Sequence, residues 1–379
     1  MNSKWEYRKI GDVCIVERGG SPRPIDPYIT NDANGINWIK IGDTSESMYI
    51  TETAQKIKPE GMKKSRYVQP GDFLLSNSMS FGRPYILKTD GCIHDGWLVL
   101  RDKNSFFDKR FLYYYLSAKP TYEKFKMIAV GGVVNNLNSE MVRKISVPVP
   151  CKAEQIEIAN LLDIVNRIIL KRKQTLQKLD ELVKARFVEL FGNPVINNKG
   201  WNVSDLGQLT IKIGSGATPK GGKEAYQTDG ISLIRSMNVH NGKFEYKELA
   251  HISDEQAARL ENVAVEENDV LLNITGASVA RSCVVPTNVL PARVNQHVCI
   301  IRCKDSIMPD FINSLLIDDN YQDLLWSIAG SGATREAITK QQVESLQIIL
   351  PPISKQEEFS KFINRVDKSK LLQFFCSPI

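Results

Sequence analysis

Between residues 153 and 190 the chain has neither proline nor glycine, and apolar residues recur every three or four positions. Ile158, Leu162, Val165, Ile169, Arg172, Leu176, Leu179, Val183, Arg186 and Leu190 alternate at spacings of four and three, and eight of these ten are apolar. That is the heptad seam of a helix that packs along another helix. The other faces are charged ("KRKQ", "KLDE"), as on a helix projecting into water. At about 1.5 Å per residue it should run roughly 57 Å. Gly192 and Pro194 end it.

Elsewhere the pattern is mixed. Short apolar and β-branched runs bounded by Gly, Pro, Asn and Asp predict strands: "FLLS" (73–76), "LVLR" (98–101), "VLLNIT" (270–275) and "VCIIR" (298–302). The segments "DKRFLYYYLSA" (108–118) and "PDFINSLLID" (309–318) predict helices. Strands followed by helices in one unit give a mixed α/β or α+β domain.

The chain also repeats itself with a period of about 200 residues. "WEYRKIGDV" at Trp5 matches "WNVSDLGQL" at Trp201, and "INWIKIGDTS" (36–45) matches "ISLIRSMNVH" (231–240). "VQPGDFLLSNSMSFGRPYIL" (68–87) faces "VEENDVLLNITGASVARSCVV" (265–285). The closing blocks, 131–155 and 332–356, align at a constant offset of 201. Each copy is long enough to be a domain. The second copy restarts the seam in register, with Phe359, Ile363 and Val366 at the positions of Ile158, Leu162 and Val165. Lys370 then replaces Ile169, Gln373 replaces Arg172, and the chain runs on as "LLQFFCSPI". The second helix should therefore reach at most about half the length of the first, with Phe374 and Phe375 exposed. Antiparallel packing of the two helices would hold two related heads apart, and a polymer with a repeat, DNA, is their natural target.

Composition agrees with two domains: 379 residues with 42% apolar content exceed one ordinary core. No apolar run approaches the roughly 20 residues that span a bilayer. Met1 to Lys9 lacks the apolar core of a signal peptide, so a soluble, cytoplasmic protein is expected. Seven scattered cysteines argue against a disulfide framework. His297, Cys299 and Cys303 stand at even spacing, which in a strand puts them on one face as core, and no second ligand pair follows them. The net charge of +6 is uneven: residues 1–150 carry 22 basic and 16 acidic groups, residues 201–350 carry 13 and 18. A second head that meets DNA must do so through a local basic patch.

The opening Trp5 and Trp201 with Gly11 and Gly207, the loop "GSGATPKGG" (214–222), the segment "ELFGNP" (189–194) and the closing blocks at 137–162 and 338–359 together resemble the specificity subunit of type I restriction-modification enzymes over nearly the whole chain. The resemblance implies an α+β (mixed α/β) fold with two tandem homologous target-recognition domains. Each is followed by the family's conserved helix, and the two helices pack as an antiparallel coiled coil. The corresponding segments are 1–151 and 193–352 for the recognition domains, 152–192 for the long spacer helix and 353–379 for the shortened second one. It also implies that each domain reads one part of a split, asymmetric double-stranded DNA site, that the helices set the gap, and that two modification subunits and the restriction subunits dock on this chain. S-adenosylmethionine, ATP and Mg²⁺ then belong to those partners, and this chain carries no cofactor, no metal and no catalytic residue.

The residues agree. No Asn/Asp-Pro-Pro-aromatic block is present for methylating a flipped adenine. "GATPKGGKE" (216–224) resembles a phosphate loop, but its glycine spacing is off by one and Glu224 stands where a Ser or Thr is needed. Groups suited to DNA lie in matching loops of both copies. They are Ser21, Arg23, Lys40, Asn77, Ser78, Arg83, Asn135 and Asn136 in the first, and Thr218, Lys220, Arg235, Asn238, Asn273, Thr275, Arg281, Asn295, Gln296, Thr334 and Arg335 in the second. About half of them are expected to touch DNA. Competing readings are a coiled-coil scaffold that ignores DNA and a truncated or inactive allele. In the latter the unpaired seam from Ile169 to Leu190 would be open to self-association with a second copy.

Overall fold

A computed structural model describes residues 5–78, 81–129, 136–218, 222, 226–330 and 336–375, with the side chains of 373–375 excepted. Two compact units divide within the long helix, at Leu170 and Lys171.

Both units are built to the same plan, which is the repeat made physical. In the first, one sheet has the order Cys14–Arg18, Trp97–Asp102, Phe73–Ser76, Pro84–Leu87, Tyr49–Ile50. The second unit repeats its first four places with Thr210–Ser215, Val298–Cys303, Val270–Asn273 and Ser282–Val284. The other sheet of the first unit has the order Ile29–Thr30, Gln55–Ile57, Ile36–Ile39, Gly91–Ile93, Arg66–Val68. Its last four places recur as Ala250–Ile252, Ile231–Ile234, Ala292–Val294 and Ala264–Val265. Even the one parallel pairing at the centre is duplicated, Trp38 opposite Cys92 and Leu233 opposite Arg293. The predicted strands are present: "FLLS", "VLLN" and "VCIIRC" are buried along most of their length and line the cores. So are the predicted helices, at Lys109–Ser117 and Pro309–Leu316.

The opening and closing blocks of each copy pair with one another. Tyr7–Lys9 runs antiparallel to Ser146–Pro148, and Asn202–Asp205 to Gln347–Leu350. A short helix precedes each closing strand, and its first turn is capped in both copies. Asn138 Oδ1 accepts from Met141 N at 2.9 Å, and Thr339 Oγ1 accepts from Gln342 N at 3.2 Å. A buried glutamine then fixes the start of each following helix. Gln155 Nε2 donates to Phe106 O (2.8 Å) and Pro150 O (2.9 Å), while its Oε1 accepts from Asp108 N (2.7 Å). Gln356, 201 positions on, donates to Pro351 O (2.8 Å) and accepts from Met308 N (2.9 Å).

The long helix runs Lys152–Phe191, 40 residues, and ends as predicted: Gly192 takes φ of 77°. The expected seam is its less exposed stripe. Ile158, Leu162, Arg172, Leu176, Leu179, Val183, Arg186 and Leu190 are half-buried, whereas Val165 and Ile169 are exposed. The terminal helix, Ile353–Phe375, has 23 residues. It lies antiparallel to the last part of the long helix: Phe359 meets Phe191, Arg186 meets Glu358 (2.5 Å), and Lys370 reaches Asp180 (2.8 Å). Phe359 and Val366 are buried and Ile363 half-buried along this contact.

The expectation of an unpaired seam from Ile169 to Leu190 is therefore corrected over its second half, from Asp180 onward. An antiparallel partner sets its start against the end of the first helix, so the well-patterned Phe359–Val366 segment covers the Val183–Phe191 end. The exposed apolar run lies earlier, with Leu161 at 62%, Ile164 at 51% and Ile169 at 48%. Lys370, which breaks the apolar pattern, is an ion-pair partner there. The side chains of Gln373, Phe374 and Phe375 lie outside the described residues. Among the described residues, no helix is long and apolar enough to cross a membrane.

Cys299 and Cys303 do share one face and pack on the core of the second unit. Burial pushes both thiols up to about 12, so they stay protonated and behave as small apolar groups.

Candidate DNA interface

In each unit the candidate loops, far apart in sequence, are tied together at one place by equivalent backbone hydrogen bonds. In the first, His94 N donates to Ile39 O (3.1 Å), Asn77 N to Gly96 O (2.9 Å), and Leu137 N to Asn77 O (2.9 Å). In the second, Asn295 N donates to Ile234 O (3.1 Å), Ile274 N to His297 O (3.0 Å), and Ile338 N to Ile274 O (2.8 Å). The loops "GGSPR" and "GATPK" join these clusters through a glycine that admits no side chain. A Cβ on Gly19 would stand 2.2 Å from His94 O, and one on Gly216 would stand 1.8 Å from Val294 O.

The same architecture carries different side chains. Ser21 Oγ donates to Asp95 Oδ1 (3.0 Å) in the first unit, and Thr218 Oγ1 donates to Gln296 Oε1 at the equivalent place in the second. Arg23 pairs with Asp95 Oδ2 at 2.8 Å while its side chain stays 81% exposed. Lys40 Nζ donates to Gln55 Oε1 (2.7 Å). Its counterpart Arg235 donates to Glu248 O and stacks 5.3 Å over the Tyr226 ring. Arg83 and Arg281 close equivalent turns: Ser76 N donates to Arg83 O (3.0 Å) and Asn273 N to Arg281 O (2.8 Å). Arg83 is exposed and Arg281 half-buried. Ser78 is half-buried, and Thr275 Oγ1 lies 2.5 Å from His297 Nδ1.

The asparagines behave differently from the expectation that they meet DNA. Asn77, Asn238, Asn273 and Asn295 are 2%, 0%, 0% and 6% exposed. Asn238 accepts from Arg235 N (3.0 Å) and donates to Glu245 O (2.9 Å), and Asn273 donates to Ser236 O (2.8 Å). Asn77 donates to Asp95 O (2.9 Å), and Asn295 accepts from His297 N (3.1 Å). These four shape the loops from inside, a use of the short amide that sequence does not separate from base contact. Asn136 is half-buried, with its Oδ1 buried and unpartnered among the described residues. Asn135, Lys220, Thr334 and Arg335 lie outside the described residues.

Asp95 and His94 were not among the expected residues. Burial alone would raise the Asp95 carboxyl; the Ser21 hydroxyl, His94 and Arg23 outweigh it and hold the pKa below its ordinary value. His94 Nε2 sits 2.9 Å from Asp95 Oδ1. The repeat offset of 201 carries Asn295 and Gln296 back onto these two, and that was the signal available. A second unforeseen device holds up the loops from behind. Arg101 binds Asp72 and Glu17, and Arg302, at the same offset, binds Asp269 and Glu266.

Two copies of one fold, each gathering polar loops at one place, define a protein with paired recognition domains. The family model for the type I restriction modification DNA specificity domain matches twice, at residues 2–181 and 198–373, so the chain belongs to the type I restriction-modification specificity subunit family. It is 23% identical over 388 residues to the putative type I restriction enzyme MjaX specificity subunit of Methanocaldococcus jannaschii, covering 96% of this chain and 87% of that one. It is 22% identical over 366 residues to the EcoBI specificity subunit of Escherichia coli, covering 89% and 74%. The fold is similar to a chain solved in work on complex assembly and conformational transition of the type I R-M system, with a TM-score of 0.57, 17% identity and coverage of 98% and 93%. It is also similar to the crystal structure of the type I S subunit from M. genitalium, with a TM-score of 0.55, 13% identity and coverage of 98% and 91%.

Proposed function

We propose that this chain is the sequence reader of a type I complex: each domain reads one part of a split, asymmetric double-stranded DNA site, and the helices dock modification and restriction subunits. Catalysis is left to those partners, which would bring S-adenosylmethionine, ATP and Mg²⁺. The observation that carries this reading is the duplicated loop cluster, one scaffold with unlike side chains at matching positions. Two heads that read different half-sites need that combination.

The purified chain, mixed with its modification subunit, should direct adenine methylation to a two-part motif with a fixed gap, read by direct sequencing of genomic DNA. Absence of any motif with both proteins folded would overturn the proposal. Arg281→Ala should weaken binding to that motif by roughly 1–3 kcal/mol if the guanidinium grips a guanine. Unchanged affinity and an unchanged salt slope in a titration would remove Arg281 from the interface.

A further inference from the structure

At one equivalent position the two domains differ in charge, Asp95 in the first and Gln296 in the second, 201 residues apart. Each is the residue that the Ser or Thr of the glycine loop grips. We propose that this position sets the base pair each domain reads there: Asp95 aims Arg23 at a guanine, and Gln296 itself reads an adenine. The inference rests on the DNA-reading function proposed above.

The geometry of Asp95 is that of an aiming device. Its carboxylate is only 23% exposed and is held on Oδ1 by Ser21 (3.0 Å) and His94 (2.9 Å). Oδ2 holds one nitrogen of Arg23 at 2.8 Å. The arginine itself is 81% exposed, and its remaining donors make no other hydrogen bond among the described residues. An exposed ion pair of this kind adds little stability. It does remove rotamer freedom from a planar fork, and that fork matches the O6 and N7 acceptors of guanine in the major groove.

Gln296 is exposed and its amide is held at both ends. Its Oε1 accepts from Thr218, and its Nε2 lies 3.1 Å from His297 Nε2. An amide carries two donors and two lone pairs. One N–H and one lone pair therefore remain, the donor–acceptor pair that meets adenine N7 and N6. No carboxylate stands at this position to aim a cation, so the two heads select different bases on the same scaffold.

The test uses the assembled chain and modification subunit on duplexes carrying the methylated motif and each single base-pair change. The wild type should discriminate a G·C pair in the first half and an A·T pair in the second by at least about tenfold. Arg23→Ala should reduce discrimination at that one G·C pair to within about twofold and leave the second half unaffected. Asp95→Asn should relax the same pair, a readout that a merely structural carboxylate would not move, with the circular dichroism spectrum unchanged. Gln296→Ala should relax the A·T pair alone. The inference is overturned if the first half contains no G·C pair, or if Arg23→Ala keeps full discrimination. It is equally overturned if affinity falls uniformly over all sequences with the salt slope reduced by about one, the signature of a phosphate contact. A wild-type complex with no split motif would overturn the parent reading instead.

Discussion

Arg302→Ala is expected to destabilise the second domain by about 3–5 kcal/mol, because it strands a buried carboxylate. Asp269 is fully buried and takes both arms of the guanidinium, at 2.8 Å on Oδ1 and 2.9 Å on Oδ2. The same arginine donates to Ala264 O at 3.0 Å, so a backbone carbonyl loses its partner as well. The equivalent Arg101 is the internal control. It sits 3.2 and 3.1 Å from the Asp72 oxygens, and its side chain is 32% exposed against 17% for Arg302. Water screens that pair, so Arg101→Ala should cost the first domain roughly 1–3 kcal/mol. Arg302→Lys should rescue little, since a point charge cannot take both oxygens in the plane of the fork. Two domains need not unfold together, so one midpoint is not enough. Urea titration followed by hydrogen exchange in peptides of each domain separates the losses. Equal losses at the two arginines would show that burial of the aspartate does not set the cost.

The duplicated fold was legible in the sequence because repeated order and hydrophobic period both survive divergence. Strand cores such as "VLLN" and the 158–190 seam are written in apolar spacing, and apolar burial is what the fold uses there. What was illegible had polar residues doing interior work. Asn238 and Asn273 look like base readers in sequence but are loop caps, because a short amide serves either purpose. Gln155 and Gln356 look like surface glutamines at the start of charged helices, yet each closes a buried network. Asp95 carries no DNA-contact signal in the sequence, because a carboxylate repels phosphate. Its use depends on Ser21 and Arg23 arriving from a loop 74 and 72 positions away to join its neighbour His94. Lys370 shows the same limit in the helix: its charge reads as the end of a seam, and its partner Asp180 belongs to a segment 190 positions earlier. The antiparallel direction was expected; the gap was which stretch of the long helix the short one covers, because a heptad pattern repeats alike along its whole length.

Phe359→Ala is expected to cost about 3–5 kcal/mol, the usual range for removing a fully buried phenyl ring. Phe359 is fully buried, with ring centroids 5.6 Å from Phe187 and 5.4 Å from Phe191. Phe311 closes the group from the domain side, 4.8 Å from Phe191. One side chain therefore joins the terminal helix, the end of the long helix and the body of the second domain. The ion pairs alongside cannot replace it: Glu358 is 52% exposed, so Glu358→Ala should cost about 0–1 kcal/mol. The 23-residue terminal helix draws most of its stability from this packing of its apolar face. Hydrogen exchange in Phe359→Ala should therefore rise along 353–372 before the sheets of the second domain open. Release of the terminal helix would also uncover Phe187 and Phe191, which pack on Phe359, and a heavier species in light scattering should follow from that new apolar patch. If exchange in 353–372 and in the sheets rises together, the terminal helix is an inseparable part of the domain core. If neither rises, the aromatic cluster is not what holds the helix in place.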